Sequence, residues 1–186
     1  KHEVSGRVLF THFGISGPTV INAARIAKDL LKAGPIAASI DLYPNRSAKE
    51  LDKMVQRILE KNPKKLLKGI MKELVQKKLG DAIVESLGSD VGELKSSSVS
   101  KKQRLQLVSL LKGLQFPITD TMGFAYSIVA DGGVSPEEVD FNSMASKLFP
   151  NLYLIGDTIN INRPSGGFSL QLCWMSGWIA GSDAGS

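Results

Sequence analysis

The sequence predicts an α/β fold, read as α+β where it is part of a larger chain: short β-containing ends around a helical middle. Three observations predict it. Apolar residues recur at the 3.6-residue helical period through the middle. Apolar runs of strand length stand near both ends. Glycine is dense at the ends (Gly6, Gly14 and Gly17, then Gly123, Gly132, Gly133, Gly156, Gly166, Gly167, Gly177 and Gly181), whereas the middle is rich in Leu and Lys.

The elements follow in order. Arg7 to Thr11 is a strand candidate, and Gly14-Ile-Ser-Gly-Pro18 is a tight turn into a helix. Pro18 suits the first helical position, where its missing N–H costs nothing. Val20, Ile21, Ala24, Ile26 and Leu30 carry that helix, and Pro35 to Tyr43 alternates as a strand. From about Ser47 to Lys61, Leu51, Met54, Val55, Ile58 and Leu59 form one apolar stripe. Ser47 is its N-cap, and Glu50 completes a capping box. Leu66, Leu67, Ile70, Met71, Leu74 and Val75 form a second stripe. Ile83, Val84 and Leu87 form a third, and Leu107, Val108, Leu110, Leu111 and Leu114 a fourth. Phe124 to Ala130 is strand-like and runs into Asp131-Gly-Gly133. Asn151 to Ile155 reads as a short apolar strand ending on Gly156-Asp157, and Gly166-Gly167 opens a long apolar helix to about Ala180.

Composition and charge bound the function. With 186 residues, 42% hydrophobic and 22% charged, the chain builds one sizeable core or two small ones. Collagen, wholesale disorder and a disulfide-stapled mini-protein are excluded. A single cysteine, Cys173, cannot form an internal disulfide and suits a reducing cytoplasm. There is no apolar run of about 18 residues to span a membrane. Net charge is +5 but uneven. Arg46 to Lys112 holds 16 basic and 8 acidic residues, a net +8, and the remainder is −3. That basic middle opens one function class: a helical module binding nucleic acid or another polyanion. Against it, only Tyr43 and Phe116 flank the region as aromatics, and dispersed lysines on amphipathic helices usually form a solvated face.

The last forty residues carry more chemistry. A strand ending on Gly156-Asp157 delivers a carboxylate to a sheet edge, where open α/β sheets bind ligands. There it can accept hydrogen bonds from sugar-like hydroxyls. Gly166-Gly-Phe-Ser169 begins a helix, where glycines allow close approach and free N–H groups favour an anionic or electron-rich group. The other reading of Gly-Asp is an ordinary turn capped by its own Asp. His12 is the one ionisable residue within a motif whose ordinary pKa lies near neutrality. It is a candidate to protonate substrate, or a turn histidine bonded to local backbone; His2 is terminal. Cys173 lies on the last helix and reads as core rather than redox-active. Arg163 reads as a solvated loop arginine before a residue for an anionic substrate or nicotinamide phosphate. No Cys/His cluster has metal-ligand spacing.

Ala130-Asp-Gly-Gly-Val-Ser135, Met144-Ala-Ser-Lys147, Leu152-Tyr-Leu-Ile-Gly-Asp157 and Gly166-Gly-Phe-Ser-Leu-Gln171 stand in an order that resembles a bacterial flavoprotein family. These are the NAD(P)/FAD-dependent oxidoreductases of the aminoacetone-oxidase-like type. Phe10 to Pro18 is similar to the family's barrel-to-helix segment. The resemblance implies a partial FAD-binding Rossmann-type domain. Residues 1–45 would be the end of a β-barrel insert with the following helix and strand, 46–114 a helical insert, and 115–186 the C-terminal FAD-contacting segment. Family members open with a strand and a Gly-x-Gly-x-x-Gly turn, which this sequence lacks. The resemblance therefore implies the C-terminal part of an FAD-dependent oxidoreductase, with NAD(P)H as electron donor and a small-molecule substrate. The missing N-terminal half would be its partner, and the fragment alone would be inactive and prone to self-association. Asp157 would bind the flavin ribityl chain. Gly156 would bring the chain close, and Gly166, Gly167, Phe168 and Ser169 would turn backbone N–H groups toward the N1/O2 edge of the ring. Gly132 and Gly133 would let a strand end pass near the ring, or serve as turn glycines only, and His12 would act on substrate. The family commonly has Glu at the place of Asp157 and Tyr-Asn at the place of Phe168-Ser169.

Overall fold

Leu9–Thr11 (β1) and Gly14–Ser16 (β2) pair antiparallel in the computed structural model, which describes residues 2–127 and 132–185. The chain continues through helix α1 (Pro18–Ala33), β3 (Ile36–Ile40) and α2 (Ala48–Lys61). Then follow α3 (Leu67–Ile70), α4 (Lys77–Leu87), α5 (Ser89–Gly92), α6 (Lys101–Lys112) and β4 (Leu114–Ile118). Last come β5 (Val139–Asp140), β6 (Ala145–Ser146) and α7 (Phe168–Ala184). The fold is α+β, and its sheets are three two-stranded antiparallel pairs among the described residues. The chain gathers into two compact units, 35–118 and a second made of 1–34 with 119–186.

Unit 35–118 is built on local rules that the sequence states openly. Ser47 caps α2: its Oγ accepts from Glu50 N at 3.2 Å, while Glu50 Oε2 accepts from Ser47 N at 2.8 Å. Ser100 and Gln103 form a second capping box on α6, which the sequence reading did not pick out. Leu51, Val55 and Leu59 of α2 enter one core with Leu67, Ile70, Met71, Ile83, Leu107 and Leu111. Tyr43 donates its phenol proton to the Leu74 carbonyl at 2.5 Å, and burial raises its pKa. Arg104 meets Asp52 with Nε at 2.7 Å, which raises the guanidinium pKa further. Ends of the unit meet in one ladder, from Ile36 opposite Ile118 to Ile40 opposite Leu114. Here the structure corrects one expectation. Leu114 continues the spacing of the α6 stripe, but Gly113 caps that helix and Leu114 begins β4. Pro117 is tolerated because β4 has a single neighbour, so no donor is needed on its other side.

The second unit holds the glycine-rich ends. Gly17 caps α1, with Pro18 at its first position as expected. A small core of Val139, Met144, Ile159 and Ala180 sits between β5, β6, the loop beyond and α7. Two strand expectations are corrected here. Phe124–Tyr126 forms a 3-10 turn, while 128–131, the rest of that predicted strand and the start of Asp131-Gly-Gly133, lie outside the described residues. Residues 151–155 make a single bridge, Tyr153 to Ala145. Their partner strand is only two residues long, so no ladder propagates and Leu152 and Ile155 remain 42% exposed. The buried strand expected to deliver Asp157 to a sheet edge is therefore a short paired segment.

Candidate functional site around Asp157

Gly156–Thr158 forms a 3-10 turn whose first residue is fixed by packing. Gly156 has φ 58°, and a Cβ there would lie 2.7 Å from Cys173 Sγ. Its N–H donates to Ser176 Oγ at 2.9 Å, and Ser176 donates onward to the Leu172 carbonyl at 2.6 Å. The turn is thus clamped to α7. Cys173 is a half-buried free thiol at that contact. Gly133, at φ 121°, passes so close to the same turn that a Cβ would stand 2.5 Å from the Thr158 carbonyl. A parallel bridge follows: Val134 N donates to Thr158 O at 2.9 Å, and Asn160 N donates to Val134 O at 2.8 Å.

Arg163 organises what lies above the turn. Its guanidinium donates to Asp157 Oδ1, to Ser169 Oγ at 3.2 Å and to the Ile161 carbonyl at 2.7 Å. Its side chain is only 6% exposed, against 42% for Asp157. The expected solvated loop arginine is instead a buried fork, because three acceptors converge on it. The loop is also tied to the first turn of α1. Ser165 N donates to Asn22 Oδ1 at 2.7 Å, and Ser165 Oγ donates to the Pro18 carbonyl at 3.3 Å.

At the start of α7, Gly167 is the N-cap with φ 94° and no side-chain cap. Phe168, Ser169 and Leu170 follow as the first helical residues, whose N–H groups lack intrahelical acceptors. Phe168 is 56% exposed. An accessible carboxylate, an exposed ring and a helix N-terminus thus share one corner, with Arg163 linking Asp157 to Ser169. Such a corner can accept hydroxyl protons at Asp157 and offer backbone donors to an electron-rich edge.

Of the predicted residues, Gly133, Gly156, Asp157 and Ser169 are joined by these contacts, and Gly166, Gly167 and Phe168 adjoin them in the chain. Gly132 has φ 115° with open space around it. His12 lies in the turn between β1 and β2, exposed, with its ring edge-to-face on Phe13 at 4.9 Å. That ring contact is local and involves none of the Asp157 residues. Among the described residues, no three of His, Cys, Asp and Glu are grouped to hold a metal ion. No helix among them is long and apolar enough to cross a membrane.

Comparison with known proteins decides the family. The profile of the HI0933-like protein barrel and H2TH domain matches residues 1–129. The chain belongs to the HI0933-like family. It is 30% identical over 183 residues to a 3-dehydro-bile acid delta(4,6)-reductase of Clostridium scindens, covering 98% of this chain and 44% of that protein. It is 28% identical over 172 residues to a ribosomal RNA dihydrouridine synthase of Haemophilus influenzae, covering 92% of this chain and 40% of the relative. The corresponding Escherichia coli synthase is 26% identical over 176 residues, covering 95% and 42%. This HI0933-like chain therefore spans less than half the length of these relatives. Sequence reasoning named most of the Asp157 corner but misjudged Arg163. The available signal was a lone arginine six residues after Asp157 and six before Ser169, on a loop short enough to fold back.

Proposed function

We propose that this chain supplies the flavin-side part of an FAD-dependent reductase. Dihydrouridine differs from uridine by two added hydrogens, so the names of all three relatives describe reductions. The observation that carries the reading is the Asp157 corner. Its exposed carboxylate oxygen suits a ribityl hydroxyl, and the uncapped N-terminus of α7 suits the electron-rich edge of an isoalloxazine ring. Gly167, with nothing within 4 Å of a built Cβ, leaves room for a ring to approach the backbone. These residues fit the group.

Bound FAD would supply the hydride chemistry, and NAD(P)H would be the electron donor. The chain's own residues bind and orient. Arg163 holds Asp157 in one rotamer, so its remaining oxygen accepts from a fixed direction. The N–H groups of Phe168, Ser169 and Leu170 stabilise negative charge near them without reorganising, because the helix fixes them. The pyrophosphate-binding turn and the adenosine half of the pocket would come from a further segment, and the apolar face of α7 would be covered there. Trp174 and Trp178 on that face are 66% and 78% exposed. Left uncovered, it would favour self-association. For the substrate class we take RNA: two of the three relatives are named for ribosomal RNA, and the basic excess of unit 35–118, 16 basic against 9 acidic residues, is compatible with a polyanion.

The test is flavin retention in the protein that carries this chain. Asp157→Ala removes a charged acceptor, typically worth about 1.5–3 kcal/mol, and should weaken FAD affinity by about tenfold to a hundredfold. FAD occupancy and affinity unchanged from the parent would remove Asp157 from the site.

A further inference from the structure

The basic residues of unit 35–118 are not evenly neutralised. Lys65 pairs with Glu73, Lys68 with Glu93, Arg104 with Asp52 and Lys112 with Asp41. The other twelve basic residues of the unit make no ion pair among the described residues, and those on α2 are set apart by their alignment on one face. Arg46, Lys53, Arg57 and Lys61 line one groove of about 460 Å³ and make no ion pair among the described residues. The single carboxylate in the groove, Glu50, is turned into the capping box, where Ser47 N and Oγ both donate to it. Its pKa is lowered mainly by those Ser47 hydrogen bonds, with Arg46 and Lys53 adding to the effect. Met54 and Ile58 form a half-buried floor between the cations.

The spacing is a row rather than a pocket. Lys53, Arg57 and Lys61 recur every four residues on one helix face, about 6 Å apart along the axis. A compact anion would engage one or two of them. A row of cations matches a chain of regularly spaced phosphates, and Arg adds a planar donor fork suited to them. A membrane surface is the poorer match, since interfacial helices project apolar side chains into the lipid. Here the apolar residues are recessed and the cations project. We propose that the α2 groove binds the phosphate backbone of an RNA strand. This inference rests on the RNA-reductase reading for its occupant, while the groove itself is independent of the Asp157 corner.

The experiment compares two charge-matched double variants in the intact chain: Lys53→Gln with Arg57→Gln in the groove, and Lys101→Gln with Lys102→Gln on α6. All four residues are exposed, so circular dichroism should be unchanged in both. Binding of a fluorescein-labelled single-stranded RNA is read by anisotropy across a salt series. For single strands the log–log slope is about −0.7 per phosphate neutralised, so losing two contacts should flatten it by about 1.4. Between about 50 and 200 mM salt the parent should then lose about sevenfold more affinity than the groove variant. The α6 variant should keep the parent slope. Equal loss in both variants would overturn the proposal, because binding would then follow net charge alone. So would the absence of RNA binding by the parent, or competition by polyglutamate or anionic phosphatidylglycerol vesicles as strong as by unlabelled RNA. Flavin content measured on the protein that carries this chain keeps the two readings apart. RNA binding with no flavin would sink the reductase reading and leave the groove, whereas flavin without RNA binding would do the reverse.

Discussion

Arg163 and Gly156 show how single residues set the candidate site. The arginine satisfies a carboxylate, a hydroxyl and a carbonyl together, so one guanidinium ties Asp157, the Ile161 carbonyl and Ser169 of α7 to each other. Gly156 is required twice, by its positive φ and by Cys173 Sγ at 2.7 Å from a built Cβ. Gly156→Ala should therefore destabilise the chain by about 2–4 kcal/mol, from overpacking and backbone strain together. Adding Cys173→Ala should restore the packing share and leave about 1 kcal/mol of backbone cost. Urea unfolding of the single and double variants reads both quantities, and no recovery in the double variant would show that the thiol is not the obstacle. At this scale the Asp157 corner was legible because Gly-Asp and Gly-Gly mark turns locally. Arg163 was not, because its burial depends on acceptors that only the folded loop brings together.

Elements divide along the same line between local and tertiary causes. The start of α2 was legible to the residue, since Ser47 and Glu50 satisfy each other within one turn. Leu114 was misread because an apolar residue three positions after Leu111 fits a helix stripe, and only pairing with Ile40 makes it strand. The segment 151–155 has strand composition, yet its pairing is set by a two-residue partner. Helix α7 was legible as apolar throughout, but the covered face, around Ser176 and Ala180, is chosen by the Gly156 turn. Tyr43 offers a test of how the link after β3 is held on the helical core. Tyr43→Phe removes the bond to the Leu74 carbonyl and should cost about 0.5–1.5 kcal/mol at neutral pH. Burial raises the Tyr43 pKa above its ordinary 10.0, so the folded state keeps the proton longer than the unfolded chain. Its contribution is fully present below pH 10.0 and is lost as pH rises through the folded value. Urea midpoints across that range should fall more steeply for the parent than for Tyr43→Phe; parallel curves would contradict the assignment.

At the scale of the whole molecule, the two units have separate cores and opposite charge. Unit 35–118 carries a net +7 with a core of its own, and the remainder carries −2 with the Asp157 corner. The fold class and the helical middle were readable from periodicity, because helices of this kind are specified by their own stripe. How segments far apart in sequence combine, 1–34 with 119–186, was not, because only long-range contacts such as Ser165 with Asn22 join them. The central claim is that the turn at Gly156–Thr158 and the N-terminus of α7 receive a flavin. Amide hydrogen exchange on the protein that carries this chain, with and without FAD, tests it most directly. The N–H groups of Phe168, Ser169 and Leu170 have no intrahelical acceptors and should exchange fast without the cofactor. On FAD binding, protection should rise at 156–158 and 168–170 and remain unchanged through 48–61. FAD binding that leaves 156–158 and 168–170 unprotected would contradict the account.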